Sequence, residues 1–197
     1  MVLVRATLPT PVGPMVALAS DDALCALEFG SDARMSRLEA RLVRFFSASS
    51  VEDWSNKMVR RTREWLDAYF AGTSADASAL SLGALGTRFE LKVWQALRKI
   101  PPGETRSYGQ VAAQVSSTVN ASRAVGLANG ANPIAIVVPC HRVIGADGSL
   151  TGYGGGLERK LWLLQHEEQY WPTGTSLTRV APHPRAARVN PQSSFEF

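Results

Sequence analysis

Apolar and polar positions alternate along the N-terminal segment as in a strand, and 2–8, 15–20 and 23–29 read as short strands. Pro9-Thr10-Pro11-Val12-Gly13-Pro14 separates the first two, and Asp21-Asp22 supplies a tight turn before the third. The period then lengthens. Met35, Leu38, Leu42, Phe45 and Phe46 form one stripe of a helix over 34–47. Trp54, Met58, Trp65 and Tyr69 do the same over 52–71, and Gly72 stands where a left-handed C-cap is wanted. Strands followed by helices, with no βαβ alternation, predict a small α+β domain over 1–72. Residues 73–86, rich in Gly, Ala and Ser, read as a linker.

Beyond the linker the pattern turns helical. Thr87 and Glu90 form a capping box for a helix whose Phe89, Val93, Leu97 and Ile100 face inward, and Pro101-Pro102-Gly103 stops it. Ser107 is placed to cap a short helix, Tyr108–Val115. Asn120 is placed to cap another that runs through Asn129, with Gly130 after it. Two short helices joined by a tight turn, the second with an arginine near its start, outline a helix-turn-helix. The continuous apolar run Ile134–Val138 predicts a strand buried on all sides. It delivers Pro139-Cys140-His141-Arg142 and then Val143-Ile144, before a turn at Ala146-Asp147-Gly148. Gly152-Tyr153-Gly154-Gly155-Gly156 precedes a last helix that presents Leu157, Leu161 and Leu164 to the core and ends at 166–168. Residues 169–197 form a tail.

Composition changes the picture in two ways. With 45% hydrophobic and 19% charged residues in 197, the chain can fill a core, which excludes intrinsic disorder. No apolar run approaches the ~20 residues of a membrane helix, and the N-terminus lacks the pattern of a secretion signal. Cys25 and Cys140, alone and in dissimilar surroundings, predict a reducing, cytoplasmic setting rather than a disulfide scaffold or a zinc cluster. The net charge of +4 arises in the second half, where residues 88–168 hold 9 Lys/Arg against 6 Asp/Glu. A basic half fits a polyanion partner.

Cys140 beside His141 is the pairing that makes a nucleophile, since a neighbouring base raises the reactive thiolate fraction. Adjacent residues rarely hydrogen-bond directly, so His141 is expected to act through a bridging water, with Glu167 holding the imidazole in the right tautomer. The glycine stretch lacks the Lys-Ser/Thr of a P-loop and the spacing of a dinucleotide fingerprint. Its backbone N–H groups are free to approach a flat ligand.

Pro139-Cys140-His141-Arg142-Val143, preceded by Asn132-Pro133 and the apolar run, resembles the signature of the O6-alkylguanine-DNA alkyltransferases. So do Ser107-Tyr108, Ser122-Arg123-Ala124-Val125-Gly126, Tyr153-Gly154-Gly155-Gly156, Lys160 and His166-Glu167. The resemblance covers roughly 87–168, and more loosely Thr10–Pro14 and Asp21–Cys25. It implies an RNase H-like first domain and a winged helix-turn-helix alkyltransferase domain over 87–168. It also implies single-turnover transfer of an alkyl group from O6 of guanine, less readily O4 of thymine, in duplex DNA to Cys140.

By the same resemblance Arg123 enters the base stack as the target base flips out. Tyr108 crowds the 3′ phosphate and then donates to guanine N3. Gly109, Asn120 and Ala146 contact the DNA. Gly154 N–H reaches O6, the carbonyls of Cys140 and Val143 accept from the exocyclic amine, and Tyr153 and Gly155 line the pocket. Asn132 braces the thiol loop and Lys160 orders the final helix. No cofactor or metal is implied, and a monomer is expected. The turn Ser116–Asn120 departs from the family in lacking Gly and Pro, and Gly154 stands where some relatives carry Ser. The alternative is a non-catalytic alkylated-base-binding protein of the alkyltransferase-like type, which replaces the nucleophilic cysteine that this chain retains.

Overall fold

The computed structural model describes residues 2–30, 32–47, 50–53, 55–116 and 121–173. Two compact units divide between Leu85 and Gly86, and Pro133–Ala135 belong to the first. In that unit β1 (Val2–Leu8), β2 (Met15–Ala19) and β3 (Leu24–Phe29) form an antiparallel meander. Helix α1 (Asp32–Phe46) follows, and the chain returns as β4 (Ser50–Asp53), parallel to β1, giving the order β3-β2-β1-β4.

This corrects the expectation of no βαβ alternation. Residues 52–53 are strand, and α2 (Lys57–Phe70) starts only at Lys57. Asn56 decides that start: its side-chain oxygen accepts from Val59 N at 2.9 Å, while Nδ2 donates to Ser20 O at 2.9 Å, tying the helix to the β2–β3 turn. Met58, Trp65 and Tyr69 are buried as their spacing predicts, and Gly72 takes the left-handed C-terminal conformation at φ 70°. Met35 and Leu42 pack with Leu3, Leu18 and Cys25, whereas Phe45 is 65% exposed and leaves the predicted stripe. Trp54 lies outside the described residues. The stretch 73–86 does not run free throughout: Leu80 is buried, Leu82 bridges Leu24, and Gly83 N donates to Leu24 O at 2.8 Å.

The second unit is helical. α3 (Arg88–Leu97) opens on the Thr87–Glu90 capping box, α4 (Tyr108–Val115) is capped by Ser107, and α5 (Ala121–Gly130) follows. Asn120 and most of the α4–α5 turn lie outside the described residues. Val93, Leu97, Ile100, Val111, Val125 and Ala128 bury the inner faces. Phe89 is only half-buried, and Trp94 joins them instead, its indole N–H donating to Ala128 O at 2.8 Å.

Ile134–Val138 is buried throughout but is not the predicted strand. It runs as turns, with one bridge from Ile134 to Leu27 and with Ile136 at φ 67°, a conformation a β-branched residue rarely adopts. A strand needs partners on its edges, and this segment instead curls to deliver the single 3₁₀ turn Cys140–Arg142. Val143–Ile144 (β6) pairs in parallel with Arg106–Ser107 (β5), a two-residue ladder with no sequence signal of its own. α6 (Leu157–Tyr170) packs Leu157, Leu161 and Leu164 against Ile144 and Leu150. It passes the predicted end at 166–168, where Tyr170 and Trp171 pack tilted and edge-on around His166, with ring centroids at 4.8 and 5.9 Å. No described helix is long and apolar enough to cross a membrane.

Candidate active site

The 3₁₀ turn of the second unit carries Cys140, His141 and Arg142, all buried. Its shape is held from two sides. Asn132 Nδ2 donates to Val138 O at 2.8 Å, and Asn129 Nδ2 donates to Cys140 O at 3.2 Å. Asn129 lies in the last turn of α5 and Asn132 two residues past its end, so the helix-turn-helix is hydrogen-bonded to the loop that carries the thiol.

Glu167, on the sixth helix, is fully buried and lies under the turn. Its Oε1 takes His141 Nε2 at 2.9 Å and Arg142 Nη2 at 2.8 Å. Oε2 takes Arg142 Nε at 2.9 Å and the backbone N–H of Gly103 at 3.2 Å. Burial alone would raise this carboxyl, but His141 and the Arg142 guanidinium outweigh it and hold it well below the carboxylate range. Burial pushes His141 down, against the upward pull of Glu167. An ionised carboxylate only accepts, so the neutral imidazole carries its proton on Nε2 and keeps a lone pair on Nδ1. That Nδ1 is buried and has no hydrogen-bond partner among the described residues.

Lys160 is also fully buried, donating from Nζ to Val143 O at 2.6 Å and Thr151 O at 2.7 Å. Burial pulls its ammonium down to about 8, against an upward pull from Cys140. Tyr108 is half-buried and its hydroxyl donates to Thr151 O at 3.2 Å. Burial raises its phenol, with Asn129 hydrogen-bonded to it and Cys140 near enough to act electrostatically. Tyr153 meets the His141 ring edge-on, with centroids 6.5 Å apart. Lys160, Val143, Tyr108, Tyr153, Asn132, His141 and Glu167 are thus gathered around Cys140 by hydrogen bonds or ring and charge contacts. Gly154 is exposed and Gly155 half-buried in the loop before α6.

Arg123, Gly109 and Ala146 are solvent-exposed, on α5, at the start of α4 and in the turn after β6 respectively. Tyr108 lies against α5, since a Cβ on Gly126 would stand 3.8 Å from its ring. Leu127, one turn beyond Arg123, is 74% exposed on the same helix.

Three residues escaped the sequence reasoning. Arg142 stands in the sequence only as part of a motif, yet its guanidinium forms a buried ion pair with Glu167. Its place directly after Cys-His was the one available signal. Asn129 read as the end of a helix and Gly103 as a helix stop. The structure makes one a brace for the nucleophile loop and the other a donor to Glu167.

Residues 3–83 match the family model described as 6-O-methylguanine DNA methyltransferase, ribonuclease-like domain. Residues 88–169 match that of the DNA binding domain of the same family. The methylated-DNA--protein-cysteine methyltransferase of Salmonella typhimurium is 45% identical over 166 residues, covering 84% of this chain and 95% of that protein. The Mycobacterium leprae protein of the same name is 60% identical over 112 residues, 57% of this chain and 67% of its own length. Among solved structures, Mycobacterium tuberculosis OGT in complex with DNA superposes at a TM-score of 0.72 with 40% identity, covering 88% of this chain and 98% of that one. With both halves matched, and Cys140 followed by a histidine hydrogen-bonded to Glu167, the chain belongs to the 6-O-methylguanine DNA methyltransferase family.

Proposed function

We propose that this protein repairs DNA by moving the alkyl group of O6-alkylguanine, and less readily O4-alkylthymine, from the duplex to its own Cys140. The observation that carries the reading is the buried chain of groups behind that thiol. An ionised Glu167 fixes the His141 proton on Nε2, which leaves Nδ1 as an unoccupied base beside the nucleophile. Glu167 is a positioning residue in this scheme, itself held by Arg142 and Gly103.

In the reaction His141 takes the thiol proton through a bridging water. The sulfur attacks the alkyl carbon in line, a C–S bond forms as the C–O6 bond breaks, and the electron pair leaves with the base, which regains the proton. Tyr108 donates to N3 and the Gly154 N–H to O6, where charge develops. Tyr153, Gly155, Val143 and Lys160 border the base, and Asn132 braces the loop. The target atom lies inside the stack, so the base is extruded and Arg123 occupies its place. Gly109, Asn120 and Ala146 contact the DNA. Exposure of Arg123, Gly109 and Ala146 together with burial of Cys140 supports this division of labour.

The product is a thioether with no carbonyl for water to attack, so each molecule acts once, without a cofactor, as a cytoplasmic monomer. Intact mass after incubation with methylated duplex tests this. The expected result is a gain of one methylene per chain, mapped to Cys140 and absent in Cys140→Ser, with duplex binding retained in the variant. Continued turnover, or no gain, refutes it. The alkyltransferase-like alternative predicts binding with no gain in mass.

A further inference from the structure

Asn129 is 97% buried, and only one end of its amide is satisfied. Nδ2 donates to Cys140 O at 3.2 Å, and the side chain lies in hydrogen-bond reach of Tyr108. Because a carbonyl oxygen only accepts, this fixes which end of the amide is nitrogen. The side-chain oxygen, Oδ1, then has no partner among the described residues. A buried acceptor left in that state costs free energy comparable to a lost hydrogen bond, so its retention calls for a donor from outside the fold.

The surroundings say which donor. On the alkyltransfer reading, on which this inference rests, the extruded base enters between Cys140 and Tyr108, and Asn129 touches both. Of the two carbonyls expected to accept the exocyclic amine, that of Cys140 already takes Val143 N–H and Asn129 Nδ2, which occupies both lone pairs. The Val143 carbonyl takes Lys160 Nζ and keeps one lone pair, enough for one amine N–H. The second amine N–H is left without an acceptor, and the nearby buried acceptor without a donor is Asn129 Oδ1.

We propose that Asn129 is a specificity-determining residue whose Oδ1 accepts a hydrogen bond from the 2-amino group of the extruded O6-alkylguanine. The oxygen is closed to solvent in the free protein, so the base must displace a side chain that covers it. Tyr108 is the neighbour suited to move, being half-buried and held to Thr151 O by a 3.2 Å bond. A thymine lesion has no such amine and gains nothing from this contact. Asn129 thereby favours guanine lesions over thymine lesions.

The test uses the full chain in single turnover on two duplexes identical except for the lesion, O6-methylguanine or O6-methylhypoxanthine, which lacks only the 2-amino group. The readout is the ratio of the two transfer rates. Asn129→Leu keeps the volume and removes the acceptor, and should shrink that ratio about tenfold, the worth of one buried hydrogen bond. Loss of the bond to Cys140 O slows both substrates alike and cancels in the ratio. Asn129→Asp keeps an acceptor and loses the donor, so it should slow both reactions while preserving the preference. If Asn129→Leu does not fold, Asn129→Ala makes the same comparison. An unchanged ratio in the folded Leu or Ala variant overturns the assignment of Asn129 alone. Failure of the wild-type chain to take a methyl group from either duplex overturns the alkyltransfer reading instead.

Discussion

Replacing Glu167 by Gln alters one atom of the buried network and should be felt in both stability and chemistry. The wild-type carboxylate receives His141, two nitrogens of Arg142 and the Gly103 N–H, at 2.8–3.2 Å. Glutamine keeps the volume but offers a single acceptor oxygen, and its NH2 group must face the guanidinium or the Gly103 N–H, donor against donor. Arg142, only 6% exposed, is left with an uncompensated charge. Breaking a buried pair in this way costs about 3–5 kcal/mol. At about 2–4 °C per kcal/mol for a domain of this size, the melting midpoint should fall by about 6–20 °C. The imidazole also loses the charge that holds its proton on Nε2. Single-turnover transfer should slow by about tenfold, less than full removal of a general base, because the Gln carbonyl still accepts. Thermal melts and single-turnover rates on methylated duplex measure both. Adding Arg142→Met should recover much of the stability and none of the rate, since it removes the stranded charge but not the defect at His141. A Glu167→Gln protein with wild-type midpoint and rate would refute the account of this network.

Three further outcomes follow from the same geometry. Arg123→Ala should slow repair in duplex DNA far more than reaction with free O6-benzylguanine, because the free base needs no extrusion; equal losses would exclude a stack-filling role. His141, pushed below its ordinary 6.5 by burial, stays neutral where an exposed histidine would be protonated. The acid limb of the transfer rate should therefore fall below that value. Stability should decline as pH drops from about 6.5, because the unfolded chain then binds a proton that the folded one refuses, and decline further as Glu167 is forced to protonate. Denaturant midpoints at stepped pH measure this, and a midpoint that rises towards acid would reverse the sign. Gly103→Ala places a Cβ against the Trp171 carbonyl at a backbone φ of 75°, so it should destabilise the second unit by about 1–3 kcal/mol, where an unstrained glycine replacement stabilises, and disturb Glu167 through its N–H. A wild-type melting midpoint would count against that strain.

Local chemistry made most of the elements legible. The capping boxes at Thr87 and Ser107, the left-handed Gly72 and the stripes of α2 and α6 act within a few residues, so one window of sequence contains both partners. The cysteine-histidine pair and the surrounding motifs were likewise readable as a set. What could not be read depended on partners distant in the chain. β4 is a strand only because β1 offers it an edge. Ile134–Val138 curls rather than extends because Ile134 bridges β3 and the segment must deliver the Cys140 turn. Phe45 has the right period but finds no surface to cover. Arg142 becomes the counter-charge of Glu167, and Asn129 a brace with one unsatisfied oxygen, only once helices five and six converge on the same turn. Residue type and spacing determined which groups were available for chemistry; folding alone decided which of them meet, because hydrogen bonds and ion pairs reach about 3 Å whatever the separation along the chain.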